Sequence, residues 1–135
     1  MRVILDTNVL VSGIFFSGPP FQILKAWRDR KLHLVISTDI LAEYQRVATI
    51  LGEKYNTIDL QPIFDLITVN SEIIEAPPLN APVCADPDDD MFIACALASN
   101  CKIIVSGDKH LLDVNGYQGI EVLKPRPFVD TYLID

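Results

Sequence analysis

Four short runs of mainly apolar residues recur along the chain, and they predict the strands of a sheet. The runs lie at residues 2–5, 33–37, 101–106 and 119–123. Continuous apolar runs of this length, without alternating polar residues, are typical of strands that are buried on both faces of a parallel sheet. We therefore expect these runs to form buried parallel strands.

Longer stretches between the runs repeat apolar residues at helical spacing. Paired prolines can open a helix, and Ser37, Thr38 and Asp39 can cap one. The predicted helices lie at residues 19–31, 37–51, 57–71 and 88–100, with a short terminal helix within 126–135. A proline-rich segment at 76–87 is expected to be a loop. Because strands alternate with helices, we predict an α/β fold whose parallel sheet is covered on both faces.

The composition is that of a folded globular protein. The chain has 135 residues, of which 50% are hydrophobic, and we expect residues 1–135 to form a single domain with a substantial core. Asp6 and Asn8 interrupt the first apolar run, which argues against a signal peptide, and no apolar run is long enough to span a bilayer. The cysteines are odd in number and lack C-x-x-C spacing. We therefore expect a cytoplasmic protein without a membrane segment.

Acidic residues directly follow two of the predicted strands. Asp6 ends the first run, and Asp108 follows the run at 101–106. Ligands of open parallel sheets bind beyond the carboxyl ends of the strands, so these two carboxylates would face one another if their strands are neighbours. Taken alone, each aspartate is also an ordinary turn residue.

Two further regions bring carboxylates to the same predicted edge. Glu43 lies early in the helix after the second strand, where an ion pair with Arg46 is its ordinary explanation. Four more acids lie at the start of the helix at 88–100, a position that acids favour: Asp86, Asp88, Asp89 and Asp90. One or two acids would satisfy that helix, and the repulsion among four requires a cation or open solvent.

Carboxylates from four separate regions point to one kind of chemistry. An acidic site made only of oxygen ligands suits hard cations such as Mg²⁺ or Mn²⁺. Such ions polarise phosphoryl oxygens and activate water for phosphodiester cleavage. Other chemistries fit less well. Pro19 and Pro20 stand where a P-loop needs Lys and Ser or Thr, and Asn8 stands where an aspartyl-phosphate phosphatase needs a second acid.

The charge distribution bears on a nucleic-acid partner. The net charge of −7 argues against one, because phosphate binding favours basic surfaces. One stretch is nevertheless basic and contains Lys25, Arg28, Arg30 and Lys31. We interpret it either as a salt-bridged solvent face or as a surface that binds RNA.

The acidic segments together resemble a known family. "ILDTNVLVSG", "STDILAEYQRV", "ADPDDDMFIACALAS" and "IIVSGDKHLL" are similar, in order, to the acidic motifs of PIN domains. They are most similar to the bacterial and archaeal toxins of toxin–antitoxin pairs that are related to VapC. The resemblance implies a three-layer α/β/α sandwich with a central parallel sheet. It also implies Mg²⁺- or Mn²⁺-dependent cleavage of RNA, a cognate antitoxin and a homodimer.

The resemblance further implies roles for individual acids. The family's first, second and fourth acids match Asp6, Glu43 and Asp108. Its third acid matches either Asp89 or Asp90: counting back from the fourth motif favours Asp90, and the "DPDD" pattern favours Asp89. Asp6, Asp90 and Asp108 would hold one ion, with Asp89 as the alternative to Asp90. Glu43 would help to place this ion or a second one.

Three polar residues would support these acids. Asn8 and Ser106 match positions that orient the carboxylates in relatives, and Asp86 would make an outer-sphere contact. The spacing leaves open whether one or two ions bind.

Two other functions stay open on the sequence alone. One is a catalytically silent PIN scaffold that binds RNA or a protein partner. The other is a small-molecule phosphatase that uses Asp6. A metal-dependent RNA cleavage assay separates the first from a ribonuclease, and hydrolysis of a generic phosphomonoester with RNA left intact would support the second.

Overall fold

The computed structural model describes residues 1–55 and 59–133, and a parallel sheet lies at its centre. Its five strands are β1 (Arg2–Leu5), β2 (His33–Ser37), β3 (Glu72–Ile74), β4 (Ile103–Val105) and β5 (Glu121–Leu123). The strand order is β3-β2-β1-β4-β5, and every neighbouring pair is parallel. β1 therefore lies in the middle, with β4 beside it.

Helices connect the strands. They are α1 (Thr7–Phe15), α2 (Pro19–Arg28), α3 (Thr38–Lys54), α4 (Gln61–Asn70), α5 (Asp90–Ser99), α6 (Lys109–Leu112) and α7 (Pro125–Tyr132). Short 3₁₀ helices cover Pro87–Asp89, directly before α5, and Tyr117–Gly119.

Two hydrophobic clusters lie on opposite faces of the sheet, and the alternation of side chains along β1 separates them. Val3 and Leu5 pack with Ile23 of α2 and Phe128 of α7. Ile4 packs into the other cluster with residues of α3, α4 and α5. The predicted three-layer α/β/α sandwich with a central parallel sheet is therefore confirmed.

The four predicted strands and five predicted helices are present, with shorter ends in most cases. The run at 101–106 forms a strand only at Ile103–Val105, and the run at 119–123 only at Glu121–Leu123. The helix predicted at 19–31 ends at Arg28. Residues 57, 58, 134 and 135 of the predicted helices lie outside the described residues.

Two elements of the fold were not predicted from the sequence. β3 lies at the edge of the sheet and has only three residues, of which two are apolar. It therefore lacks the continuous apolar run of a central strand. α1 contains valines and a glycine, which have low helix propensity, and its stability comes from packing on α2. A Cβ on Gly13 would lie 2.6 Å from Leu24 Cδ1 and 2.8 Å from the carbonyl oxygen of Pro20. Glycine is therefore needed for this close approach.

No single helix within residues 1–55 and 59–133 is long and apolar enough to cross a membrane. α1 and α2 reach the length and apolar composition of a span only as a pair, and this pair bends by 89° at its break.

Candidate active site

Asp6 directly follows β1 and is held at the carboxyl edge of the sheet, where the strands end. Its backbone N–H donates to the carbonyl oxygen of Val105 at 3.0 Å, and its own carbonyl oxygen accepts from Val9 at 3.0 Å and Leu10 at 3.2 Å. Asp6 thereby joins β1 to β4 and begins α1. Its side chain is only 5% exposed, and Ser106 Oγ donates to Asp6 Oδ2 at 2.7 Å.

Burial decides the acidity of Asp6. It raises the pKa of the carboxyl above its ordinary value, and the negative charge of Asp108 raises it further. The hydrogen bond from Ser106 and the backbone amides of Thr7 and Asn8 partly oppose this rise in the pKa. A carboxylate in this position is stabilised by a nearby cation.

Ser106 connects the two acids that follow neighbouring strands. It comes directly after β4, is fully buried, and accepts a hydrogen bond from the backbone N–H of Asp108 at 2.9 Å while it donates to Asp6. The Asp108 Oδ1 atom accepts from the backbone N–H of His110 at 2.7 Å and caps α6. One hydroxyl therefore fixes both acids relative to each other.

Asp89 ends the 3₁₀ helix before α5 and is the most perturbed acid of the site. It is 8% exposed, and its Oδ2 atom has no hydrogen-bond partner among the described residues. Burial raises the pKa of Asp89 to about 6, and repulsion from Asp108, Asp6 and Asp86 contributes, while His110 opposes the rise. An unpaired buried carboxylate oxygen is costly unless a cation or a proton meets it.

The neighbouring Asp90 has a different role in the structure. Its carboxylate accepts from the backbone N–H of Cys84 at 2.7 Å and, at longer distances, from that of Val83. It lines a separate cavity together with Asp39 and Pro78. Asp90 thus holds the loop before α5 instead of facing Asp6.

One cavity collects the acids, and we name it the acidic cavity. It has a volume of about 560 Å³ and is lined by Asp6, Thr7, Asn8, Glu43, Arg46, Val47, Asp88, Asp89, Met91, Phe92 and Asp108. Five of these residues are acidic, and Arg46 is the single cation among them. Asp86 instead caps the 3₁₀ helix, since its Oδ1 atom accepts from the backbone N–H of Asp88 at 3.0 Å.

Glu43 lies at the acidic cavity and also forms the ion pair with Arg46 that the sequence predicts. It lines the acidic cavity, and its carboxylate accepts two hydrogen bonds from Arg46, at 2.7 and 3.0 Å. The pair is the i,i+3 ion pair expected on a helix surface, with side chains that are 25% exposed for Glu43 and 60% exposed for Arg46. Glu43 therefore lines the cavity as one half of an ion pair, with one hydrogen bond to each of its carboxylate oxygens.

The oxygen atoms that line the acidic cavity are of the kind that binds a hard divalent cation. Two buried oxygen atoms on the cavity wall, Thr7 Oγ1 and Asp89 Oδ2, have no hydrogen-bond partner among the described residues. Carboxylate and hydroxyl oxygens are the ligands that Mg²⁺ and Mn²⁺ prefer. Within residues 1–55 and 59–133, however, no three His, Cys, Asp or Glu side chains already converge as a metal-binding group. The acids share a cavity without forming a closed cluster.

The basic stretch lies away from this cavity. Lys25, Arg28, Arg30 and Lys31 belong to the end of α2 and the turn that leads into β2. Because β2 begins at His33, they lie at the amino edge of the sheet, one strand length of about 16 Å from the carboxyl edge. Sequence order alone gives this placement, since a segment directly before a parallel strand lies at its amino end.

Two supporting residues were not recognised as such from the sequence. The hydroxyl of Thr7 is buried on the wall of the acidic cavity. Tyr44 is almost fully buried, and its hydroxyl donates to the carbonyl oxygen of Leu5, the residue before Asp6. Burial of Tyr44 raises the pKa of its phenol, so the hydroxyl stays a donor. Tyr44 lies seven residues after Ser37, and nothing in the sequence around it indicates a contact with Leu5.

Comparisons with known proteins agree with this fold. A PIN domain family model matches residues 2–110. Over 147 aligned residues, the chain is 30% identical to the uncharacterized protein MJ1680 of Methanocaldococcus jannaschii, and the match covers 98% of this chain and 92% of that protein.

A solved structure also has a similar fold. It is a crystal structure of VapBC2 from Rickettsia felis bound to a DNA fragment from their promoter. The similarity has a TM-score of 0.58 at 18% identity, and it covers 92% of this chain and 98% of the matched chain. Together with the family model, which matches most of the sequence, these similarities lead to one conclusion: the chain belongs to the PIN domain family.

Proposed function

We propose that this chain is a divalent-metal-dependent endoribonuclease and the toxin of a toxin–antitoxin pair. The observation that carries the proposal is the acidic cavity, which Asp6, Asp89 and Asp108 line at the carboxyl edge of the sheet. Membership of the PIN domain family supports the nuclease activity. The fold shared with a chain of the VapBC2 structure supports an antitoxin partner.

Asp6, Asp89 and Asp108 would hold Mg²⁺ or Mn²⁺. Of the two alternatives for the third acid, we choose Asp89, because it lines the acidic cavity with an unpaired buried oxygen while Asp90 binds the loop at Val83 and Cys84. When bound, an ion of this kind activates water and stabilises charge on a phosphate.

The remaining residues position the acids and the substrate. Ser106 fixes the carboxylate of Asp6 and the backbone of Asp108, so the rigid sheet sets the separation of the two acids. Glu43 would join the acids when Arg46 leaves it, and the freed guanidinium would be available to an RNA phosphate. Asn8 is exposed and lines the same cavity, where its amide can hydrogen-bond to substrate or to a neighbouring carboxylate.

The proposal includes three partners. RNA in the cytoplasm is the substrate, and we assign part of its binding to the basic stretch of Lys25, Arg28, Arg30 and Lys31. A cognate antitoxin and a second copy of the chain are the proposed protein partners. Apolar side chains that such partners would cover include Phe16 and Val69, which are 69 and 80% exposed.

A cleavage assay tests the proposed activity. Purified protein is incubated with single-stranded and structured RNA in Mn²⁺, in Mg²⁺ and in EDTA, and we expect cleavage only with a divalent ion. Asp108→Asn should abolish it, because this change removes a cavity charge. Asp113→Asn is the matched control, since Asp113 lies five residues away and is exposed. Equal cleavage by wild type and Asp108→Asn would contradict the proposal.

The same preparation separates the other functions. A silent scaffold binds RNA in every buffer and cleaves it in none. A small-molecule phosphatase hydrolyses a generic phosphomonoester and leaves RNA intact. Ion binding is measured independently by thermal denaturation, in which millimolar Mn²⁺ should raise the melting temperature because it binds only the folded protein.

A further inference from the structure

A second cavity lies at the amino edge of the sheet, on the far side from the acids. It has a volume of about 450 Å³, within the range typical of small-ligand sites. Its wall includes Trp27, Arg28, Arg30 and His33, from the end of α2 to the start of β2, and Leu66 and Asn70 of α4. We name it the amino-edge cavity.

The charge of this cavity is opposite to that of the acidic cavity. Two guanidinium groups and an imidazole line it, and none of the described residues on its wall is acidic. Arg28 lies 3.5 Å from Asp29 in an exposed ion pair, which is weak in water. The side chain of Arg30 has no ion pair or hydrogen bond with the described residues and is exposed. In a chain with a net charge of −7, this is a local concentration of available positive charge.

Arg30 occupies a backbone position at the end of α2 where glycine is usual. Arg30 has a φ of +61°, and its N–H donates to the carbonyl oxygen of Trp27 at 3.0 Å. The next N–H, of Lys31, donates to Ala26 at 2.8 Å and completes the helix-ending turn. Glycine is usual at this left-handed position, because other residues are strained in it. An arginine that occupies it gives a cation to the cavity at the cost of backbone strain.

Trp27 provides a planar surface beside these cations. It is half-buried: part of the indole packs against both hydrophobic clusters, and part lines the cavity. Aromatic rings next to arginines are the usual combination for single-stranded nucleic acids, because bases stack on the ring and guanidinium groups bind the phosphates. An acidic peptide would use the cations but not the exposed part of the indole.

We propose that the amino-edge cavity binds a nucleotide unit of single-stranded RNA, with the base against Trp27 and the phosphate at Arg28 and Arg30. This inference rests on RNA being the substrate, and it adds a second contact point at the opposite edge of the sheet from the acidic cavity. RNA that enters the acidic cavity then also contacts the protein well away from the cleaved bond.

The chain provides its own reporter for this site. Trp27 is the single tryptophan of the sequence, so intrinsic tryptophan fluorescence reports on the amino-edge cavity. Wild-type protein is titrated with a single-stranded RNA oligonucleotide in EDTA, which prevents metal-dependent cleavage. We expect saturable quenching whose affinity falls as salt increases. Arg30→Gln should weaken this binding by about tenfold, as expected for the loss of one phosphate or base contact.

Glycine variants separate binding from folding. Arg30→Gly should lose the same affinity and yet melt at a higher temperature than wild type, because glycine accepts the positive φ without strain. Gln118→Gly is the matched control: Gln118 has a φ of +48°, so its replacement should raise the melting temperature without changing RNA affinity. Lys124→Gln, which removes an exposed cation elsewhere, should also leave the affinity unchanged.

The outcomes also separate this inference from the proposed nuclease. Quenching that depends on Arg30 supports the amino-edge cavity even if no RNA is cleaved. Equal RNA affinities of wild type and Arg30→Gln overturn it, even if the metal-dependent cleavage is intact. Adenosine monophosphate should bind at the same site more weakly than the oligonucleotide. Quenching by polyglutamate as strong as that by RNA would overturn the proposal in favour of an acidic protein partner.

Discussion

Two acidic regions reach the acidic cavity in different ways. Asp6 and Asp108 follow neighbouring strands, and a single hydroxyl, that of Ser106, connects them. Asp89 and Asp90 lie at the start of α5, and only Asp89 lines the cavity with the strand-end acids. The carboxylate of Asp90 binds backbone N–H groups of the preceding loop. Adjacent acids can therefore lie in different surroundings, whereas acids about a hundred residues apart in the sequence line one cavity.

The difference follows from backbone geometry. A residue directly after a parallel strand has its place fixed by the sheet, as the bond from the N–H of Asp6 to Val105 demonstrates. At the start of a helix, successive side chains are rotated by about 100–120°. Asp89 and Asp90 thus face different surroundings. Contacts with the loop before them determine which of the two side chains faces the acidic cavity. Strand-end acids are more predictable from sequence than helix-start acids.

The largest expected effect is that of Asp6→Asn. We expect RNA cleavage to fall by more than about 100-fold, since even indirect partners of metal ligands cost 10–100-fold. The amide keeps the shape of the side chain and removes a buried negative charge. In metal-free buffer the variant should therefore be slightly more stable than wild type, and Mn²⁺ should stabilise it less.

Asp130→Asn is the control for this change, because Asp130 is an exposed acid of α7. Melting temperatures with EDTA and with Mn²⁺, together with cleavage rates, complete the measurement. Full cleavage activity in Asp6→Asn, with contaminating nuclease excluded, would refute the assignment of Asp6. A loss of apo stability of about 1 kcal/mol would instead indicate a purely structural cap.

The second prediction compares two adjacent acids. Asp89→Asn should lose most of the RNA cleavage and gain apo stability, because it removes the charge from a buried and repelled carboxylate. Asp90→Ala should retain cleavage and lower the free energy of unfolding by about 1–3 kcal/mol, because partly buried N–H groups lose a charged acceptor. Cleavage rates and urea denaturation of both variants measure the contrast. The reverse pattern would make Asp90 the third acid.

The sequence predicted the frame of the site but not its details. Buried strands carry continuous apolar runs, so β1 and β4 and the acids that follow them could be recognised. The edge strand β3 lacks such a run, and α1 depends on tertiary packing at Gly13 instead of helix propensity. The choice between Asp89 and Asp90 depends on the backbone of Cys84, a contact that no local pattern encodes.

The third prediction concerns the link between the strand-end acids. Ser106→Ala removes the hydrogen bond to Asp6 and the acceptor for the N–H of Asp108, so both acids lose their fixed orientation. We expect a 10–100-fold loss of cleavage and a destabilisation of about 1–3 kcal/mol. Ser99→Ala is the control, because Ser99 also makes two hydrogen bonds, to Cys95 and Cys101, at the end of α5 away from the cavity. Equal losses of cleavage in both variants would mean that destabilisation alone explains the effect.

The smallest expected effect is a dependence of stability on pH. The pKa of Asp89 is about 6 in the folded protein and near 3.8 in the unfolded chain, so the folded state binds more protons between these values. The free energy of unfolding of the metal-free protein should therefore fall as the pH rises from about 4 to about 6. In Asp89→Asn, the free energy of unfolding should no longer fall in this way between about pH 4 and pH 6. Mn²⁺ should restore the stability of the wild type at pH 7, because it binds the ionised carboxylate. Urea denaturation of wild type and Asp89→Asn in EDTA at several pH values measures the difference. Identical slopes would mean that Asp89 ionises in the folded protein as it does in the unfolded chain, and that its carboxylate is not held among the other acids.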